Sequence, residues 1–403
     1  MVSVGFCGGL SGSGRITAFN HTGVIETWGG DSVAGHPVVH VVPQYPPALG
    51  GMETAVHAIV HKQHETGLRV QVITSDQGPA NAPVEDEDFP VKRLKSFSVV
   101  NTPIMPSLPL RLLALDRRSI VHVHIAQAFT PELVWLVAKL KRVKYVAHFH
   151  ADVIPTGRAG ILLDPYKKIV LSRVLRDAAQ VLVPTEDYRD LVCTKYGLPR
   201  DRVAVVDNGT DHRIVDQSRH LPEEGRSARL LFVGRLAVQK NIPLLLRTIA
   251  AYRDKYGADI QLSIVGEGDL RGAIEAEISQ LDLGSLVNLV GTLHGAALES
   301  MYEESDLFIL TSVFESFGLV LVEAMAKALP IVSVYIPAVR NVVFDEENGL
   351  LVESAPEALA DAVHRLLSDR DFYAKVSMNN LAASHRYTWG AVVDKISAAY
   401  DSI

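Results

Sequence analysis

One rhythm occurs twice along this chain, and it constrains the fold more than any other feature. Short apolar runs at residues 38–42, 70–74, 120–125, 145–149, 181–183 and 203–206 alternate with amphipathic stretches, notably 52–65, 131–140 and 165–175. After the polar segment 212–228 (HRIVDQSRHLPEEGRSA) the alternation restarts, with apolar runs at 230–233, 261–265, 287–290, 307–310, 331–334 and 350–352. Strands that are apolar on both faces and separated by helices belong to parallel sheets covered on both sides. The expected fold class is therefore α/β, with two doubly wound domains in tandem.

The expected boundaries follow from the same pattern. Residues 37–211 form the first domain, 212–228 a linker, and 229–385 the second domain. Residues 386–403 form a C-terminal helix packing back toward the first domain. The last fifty residues read as helical, with apolar positions such as Leu359, Val363, Leu366 and Leu367. Residues 1–36 are rich in Gly, Ser and Thr and show no sustained periodicity, so they are expected to be a poorly ordered leader. Gly9, Gly12 and Gly14 hint at a dinucleotide loop, but Gly5 breaks the preceding run and the spacing is not G-x-G-x-x-G.

Composition narrows the function. With 403 residues, 48% hydrophobic, 21% charged and a net charge of −7, the chain has the balance of a globular enzyme and lacks the basic excess expected of a nucleic-acid binder. Its two cysteines, Cys7 and Cys193, form no metal-spaced motif and suggest a reducing compartment. No apolar run reaches the ~18 residues of a membrane span. A cytoplasmic location is expected, with peripheral membrane contact and oligomeric state left open.

The candidate chemistry lies in loops that follow second-half strands. Run 230–233 leads into Gly234 and Arg235, then Lys240. A glycine there allows close backbone approach, and two cations suit a diphosphate whose charge grows as a sugar departs. Gly266 and Gly268 follow run 261–265 in the same way. The most informative segment is 311–318 (TSVFESFG) leading into LVLVEAMAKALP. Ser316 is a plausible N-cap, and backbone N–H groups near Gly318 and Leu319 at a helix N-terminus suit a phosphate. Glu315 and Glu323 are eight residues apart, ~12 Å along a helical path. That separation is too long for a metal pair but suits two parts of one extended ligand. Glu323 has apolar neighbours and needs hydroxyl partners.

Glu315-x7-Glu323, with ESFG and EAMAKALPIV, resembles the signature of retaining glycosyltransferases of family 4, which have the GT-B fold. PQYPPALGGMETAV, VAHFHAD, VLVPTEDYRDLV, VVDNGTD, LLFVGRLAVQKN and LSIVGEGDLR resemble other segments of that family in the expected order, from about Pro37 to the C-terminus. The resemblance implies two Rossmann-like domains facing across a cleft and a nucleotide-sugar donor, with UDP the habitual nucleotide. It implies transfer of a hexose-type sugar with retention, without a metal or other cofactor. Arg235 and Lys240 would hold the diphosphate and stabilise its developing charge, and Glu323 would bind the ribose. Glu315 would sit at the sugar's reacting face. Ser316, Phe317, Gly318 and Leu319 would supply main-chain contacts, with Gly234, Gly266 and Leu293 also on the donor. Gly51 would let a first-domain loop approach the diphosphate, and His150 would contact the sugar near the acceptor. Asn208 and Gly209 would lie near the domain junction. Two departures stand out. Ala328 occupies a position usually held by glycine, and Ile336, Pro337 and Ala338 replace small residues in a loop that faces the sugar.

The acceptor is expected on the first domain, around 51–53 and 150–158. HFHADVIPTGRAG and PYKKIVLSRVLRDA resemble a bacterial subset of the family, some of whose members glycosylate small polar metabolites such as aminocyclitol antibiotic precursors. Glu53, Asp152 and Asp164 could then pair with ammonium groups. The stretch PSLPLRLLALDRR keeps a lipid acceptor open.

Other readings remain at this point. His122 with His124, and His148 with His150, are H-x-H pairs whose imidazoles share a strand face. Four such ligands could hold zinc for a metal-dependent hydrolase. GT-B folds also host nucleotide-sugar epimerases, and a non-catalytic sugar-nucleotide module is a third possibility.

Overall fold

Apolar strand runs bury both faces only when helices cover both sides of the sheet, and both halves of the computed structural model are built this way. The structure describes residues 16–19, 25–28, 36–48, 50–78, 87–99, 102–150, 166–222, 225–315 and 317–403. Within the stretch expected to be an irregular leader, β1 (Ile16–Phe19) and β2 (Ile25–Trp28) pair antiparallel. The rest of that stretch, up to residue 35, lies outside the described residues.

The first domain contains β3 (Val38–Val41), β4 (Val70–Ser75), β5 (Val91–Leu94), the hairpin β6 (Phe97–Val99) and β7 (Thr102–Ile104), then β8 (Ile120–Ile125), β9 (Tyr145–Phe149), β10 (Gln180–Val183) and β11 (Val203–Val205). Seven of these form a parallel sheet in the order β11-β10-β9-β8-β3-β4-β5. The second domain contains β12 (Ala228–Val233), β13 (Ile260–Val265), β14 (Val287–Gly291), β15 (Leu307–Leu310), β16 (Ile331–Val334) and β17 (Leu350–Val352), parallel in the order β14-β13-β12-β15-β16-β17. The strand order reverses beside β3 in the first sheet and beside β12 in the second. Open α/β sheets take ligands beyond the carboxyl ends of their strands at such switch points. Between β12 and β15, this point is flanked by the segments starting at Gly234 and Thr311.

The chain crosses between domains twice, side by side. Thr210 N–H donates to the Tyr387 carbonyl at 2.8 Å. A Cβ on Gly209 would lie 2.7 Å from the Trp389 ring, so only glycine fits that crossing. Helix Trp389–Asp401 then packs on the first domain, burying Val392, Val393, Ile396 and Tyr400 with Val56, Ile59 and Val60 of helix Gly51–Glu65. Residues after the first crossing lie along the second domain, where the Arg219 guanidinium donates to the carbonyls of Tyr302, Glu303, Ser305 and Lys327. None of the described helices is long and apolar enough to cross a membrane.

Candidate active site

The second-domain site starts with backbone pressed against backbone. Gly266 has φ +140°, and a Cβ there would lie 2.0 Å from the Gly234 carbonyl oxygen. Any other residue would force the β12 and β13 loops apart. Gly234 N–H donates to Val265 and Gly266 N–H to Gly291, fixing three strand ends in one plane.

Lys240 lies over Gly234, its Cε 3.2 Å from where a Cβ would stand, so a side chain at 234 would displace the lysine. Lys240 Nζ donates to Glu315 Oε1 at 2.5 Å, and Ser312 Oγ donates to the same oxygen at 2.7 Å. The lysine and glutamate side chains are only 15% and 12% exposed. Thr311 Oγ1 donates to the Lys240 carbonyl, and Val313 N–H to that of Gln239, locking the two loops together. Arg235 is exposed beside them, with no ion pair among the described residues. Among the described residues the site thus holds one paired cation, Lys240, and one exposed cation, Arg235.

Glu315 is not on a helix, which corrects the ~12 Å helical path expected between it and Glu323. Gly318, at φ +90°, starts the helix at Leu319–Ala326, so the N-cap is Gly318 and not Ser316. Ser316 itself lies outside the described residues. Phe317 is buried edge-on against Tyr387, and can offer a ligand only its backbone. Glu323, half-buried in that helix, accepts a 2.6 Å hydrogen bond from the Tyr302 hydroxyl. That leaves one carboxylate oxygen for a further donor. Leu293 packs against the second-domain core in the segment after β14. Ala328 ends the helix region at φ +54°, a left-handed conformation that favours glycine, yet it is fully buried. Lys327, at the end of the motif, is sealed in ion pairs with Glu299 and Glu303.

The two domains meet over this site. Gly51 faces Leu319, with a Cβ at 51 falling 3.9 Å from the leucine Cδ1. Asp187 accepts from Arg340 and Asn341 at 2.7 and 2.9 Å, and the arginine hydrogen bond first of all holds its carboxyl below the usual range. Beside this bridge is a cavity of about 180 Å³ walled by Tyr188, Leu191, Phe314, Glu315, Ile336 and Pro337. The sequence had not revealed Asp187 or Tyr302, whereas Ser312 stood within the informative segment 311–318. The only signal for Asp187 was the Thr185–Glu186–Asp187 start of a helix, a capping pattern.

His150 ends a line of buried imidazoles. Gln63 Oε1 bonds His40 Nε2 at 2.7 Å. His40 Nδ1 then shares a hydrogen bond with His124 Nε2 at 3.0 Å, and His124 Nδ1 with His150 Nε2 at 2.8 Å. A second line joins Tyr400 to His122 and His148. Burial lowers the pKa of His40 and His150 to about 4 and drives His122, His124 and His148 well below 6.5. These nitrogens bond one another inside the core, out of reach of the open water position that a hydrolytic metal needs, so the hydrolase reading is not favoured. Glu53 is buried, its carboxylate folded back against Gly50, and burial raises its pKa. Asp152 and Asp164 lie outside the described residues.

Two family models divide the chain where the structure does. The description "Glycosyl transferase 4-like domain" matches residues 50–209, and "Glycosyl transferases group 1" matches residues 215–382. The chain belongs to these glycosyltransferases. The transferase is 29% identical over 310 residues to an alpha-D-kanosaminyltransferase of Streptomyces kanamyceticus, covering 70% of this chain and 77% of that one. It is 28% identical over 383 residues to a GDP-mannose:cellobiosyl-diphosphopolyprenol alpha-mannosyltransferase of Xanthomonas oryzae, covering 90% and 96%. Its fold matches that of Anabaena HepE in complex with UDP and glucose, with a TM-score of 0.70 at 18% identity, covering 91% and 99% of the two chains. The transferase therefore has the GT-B arrangement of two Rossmann-like domains.

Proposed function

We propose that the transferase moves a hexose-type sugar, with retention, from a UDP-sugar to a hydroxyl of a small polar acceptor in the cytoplasm. What supports the donor half is that Gly234, Lys240 and Glu315 come together at the β12–β15 switch point, with Arg235 next to Gly234 in the chain and Glu323 on the helix that follows. A diphosphate is the ligand that suits an available arginine beside a lysine at a glycine-lined strand end. Glu323 suits the two ribose hydroxyls through its remaining oxygen.

The diphosphate would draw Lys240 from Glu315 or share it. As the anomeric C–O bond breaks, the leaving phosphate gains charge, which Arg235 and Lys240 stabilise. The same phosphate oxygen takes the proton of the acceptor hydroxyl, whose oxygen forms the new bond on the face the phosphate leaves. Glu315 borders the sugar's reacting face, and backbone groups at Phe317–Leu319 and Gly51 close over the phosphates. Gly266, Leu293 and Ser316 complete the donor surface, while neutral His150 contacts the sugar. No metal or other cofactor is required by this route.

The acceptor is proposed to carry amino groups, as in an aminocyclitol. The kanosaminyltransferase relative supports that class, and Glu53 with Asp152 would meet its ammonium groups. An ammonium beside Glu53 would restore the charge that burial disfavours. Nucleotide sugars at about 100 times Kd should add roughly 2.7 kcal/mol of stability. A screen for that shift, followed by acceptor profiling, tests the reading. Stabilisation by GDP-sugars alone would overturn the UDP assignment, and equal turnover of neutral and aminated acceptors would overturn the acceptor class. Formation of a new sugar without acceptor would point to an epimerase.

A further inference from the structure

We propose that His57, His61 and Glu87 form a zinc site at the hinge between the domains, apart from the donor site. His57 and His61 are one turn apart on helix Gly51–Glu65 and so project from one face. Their rings lie 4.2 Å apart. The Glu87 carboxylate reaches both, with Oε1 3.5 Å from His57 Nε2 and Oε2 2.6 Å from His61 Nε2. One ligand atom from each of the three residues falls within 4.8 Å of the others. Zinc takes imidazole nitrogen and carboxylate oxygen at about 2.0–2.2 Å in a tetrahedron, which puts ligand atoms about 3.3 Å apart. Small side-chain rotations bring this triad to that spacing. Two imidazoles and one carboxylate favour zinc over magnesium or calcium, which prefer all-oxygen shells.

The surroundings suit a formed site. Tyr45 lies 5.7 Å from the His57 ring, and Phe89 stands edge-on to His61 at 5.0 Å, so neighbours orient both imidazoles. His57 and His61 line a cavity of about 610 Å³ whose far wall includes Asp211, His212 and Trp389 from the two interdomain crossings. That opening gives the ion an entry path and room for water as a fourth ligand. An ion here would fasten helix Gly51–Glu65 to the approach to β5 and face the hinge. Gly51 at the same helix's start touches the donor domain, so the site is placed to bias how the domains close.

The test uses the full chain, stripped with a chelator and titrated with zinc against a chromophoric competitor. One zinc per chain is expected, with a thermal midpoint that rises on binding. His61→Gln and Glu87→Gln should each weaken binding at least tenfold and abolish that rise, whereas His36→Gln, at an exposed imidazole that bonds the Arg118 carbonyl and belongs to no part of the triad, should change neither. Because a variant can misfold, the parent chain is also treated with diethylpyrocarbonate and mapped by mass spectrometry. Zinc should protect His57 and His61 together. Absence of stoichiometric binding, zinc affinity unchanged in both variants, or modification of His57 and His61 undiminished by zinc would each overturn the assignment.

Discussion

Replacing Lys240 with methionine separates the lysine's two roles. Methionine keeps most of the stem that lies over Gly234 and removes the charge. The first effect is on stability. Glu315 would keep Ser312 as a donor but lose its cation in a site where both side chains are mostly buried. Breaking a fully buried pair costs about 3–5 kcal/mol, and the remaining hydroxyl and partial exposure reduce this to about 2 kcal/mol. For a domain of this size that lowers the midpoint by roughly 4–8 °C. The second effect is on chemistry. Loss of one donor aimed at developing charge costs about 3 kcal/mol of barrier, or roughly 150-fold in turnover. The double variant Lys240→Met/Glu315→Gln separates the two effects. It should recover most of the lost stability, because no buried charge is left unpaired, and recover none of the turnover. Calorimetry and nucleotide-release kinetics on the three proteins check this. Parent-level turnover in Lys240→Met, or a double variant no more stable than the single one, would refute the reasoning.

Other perturbations probe neighbouring parts. Gly266→Ala drives a Cβ into the Gly234 carbonyl at a strained φ, so it should cost at least ~3 kcal/mol and abolish UDP binding, as thermal melts and titration calorimetry would show. Glu323→Gln keeps an acceptor for the Tyr302 hydroxyl but loses a charged acceptor for ribose. UDP should bind about 10- to 150-fold more weakly, with the melting midpoint little changed. Five buried imidazoles with lowered pKa values take up protons on unfolding, so each adds stability as pH rises toward 6.5; for His40 and His150 the window runs from about 4 to 6.5, at about 1.4 kcal/mol per pH unit. Imidazole ¹⁵N spectra of the folded protein at pH 5 should show these rings neutral, and protonated signals would contradict the burial argument.

The two sheets were legible because fully buried parallel strands are continuous apolar runs, as in VVHVV or LLFV. β5 was not, because its VKRL sequence is half polar, and the β6–β7 hairpin packs in neither sheet. At the donor site, the sequence drew attention to glycines at strand ends, and Gly234 and Gly266 do stand where backbones touch. It misplaced the helix start, because Ser316 has the chemistry of a cap while Gly318 has the left-handed backbone. Long-range partners left no local trace. Tyr302 meets Glu323 across 21 residues, and Tyr400 meets His122 across 278. The H-x-H spacing correctly placed the imidazoles on one face, but could not say whether that face met solvent or core. Helix Trp389–Asp401 covers it, which turned a candidate metal centre into a buried hydrogen-bonded ladder.

The central claim is that a sugar leaves a nucleotide diphosphate held in the second domain and arrives on an acceptor hydroxyl with its anomeric configuration kept. Proton NMR of the product formed from a UDP-α-hexose and an aminocyclitol acceptor measures this directly. The expected result is an α-linked product formed in step with released UDP. A β-linked product, or UDP released with only free sugar formed, would contradict it.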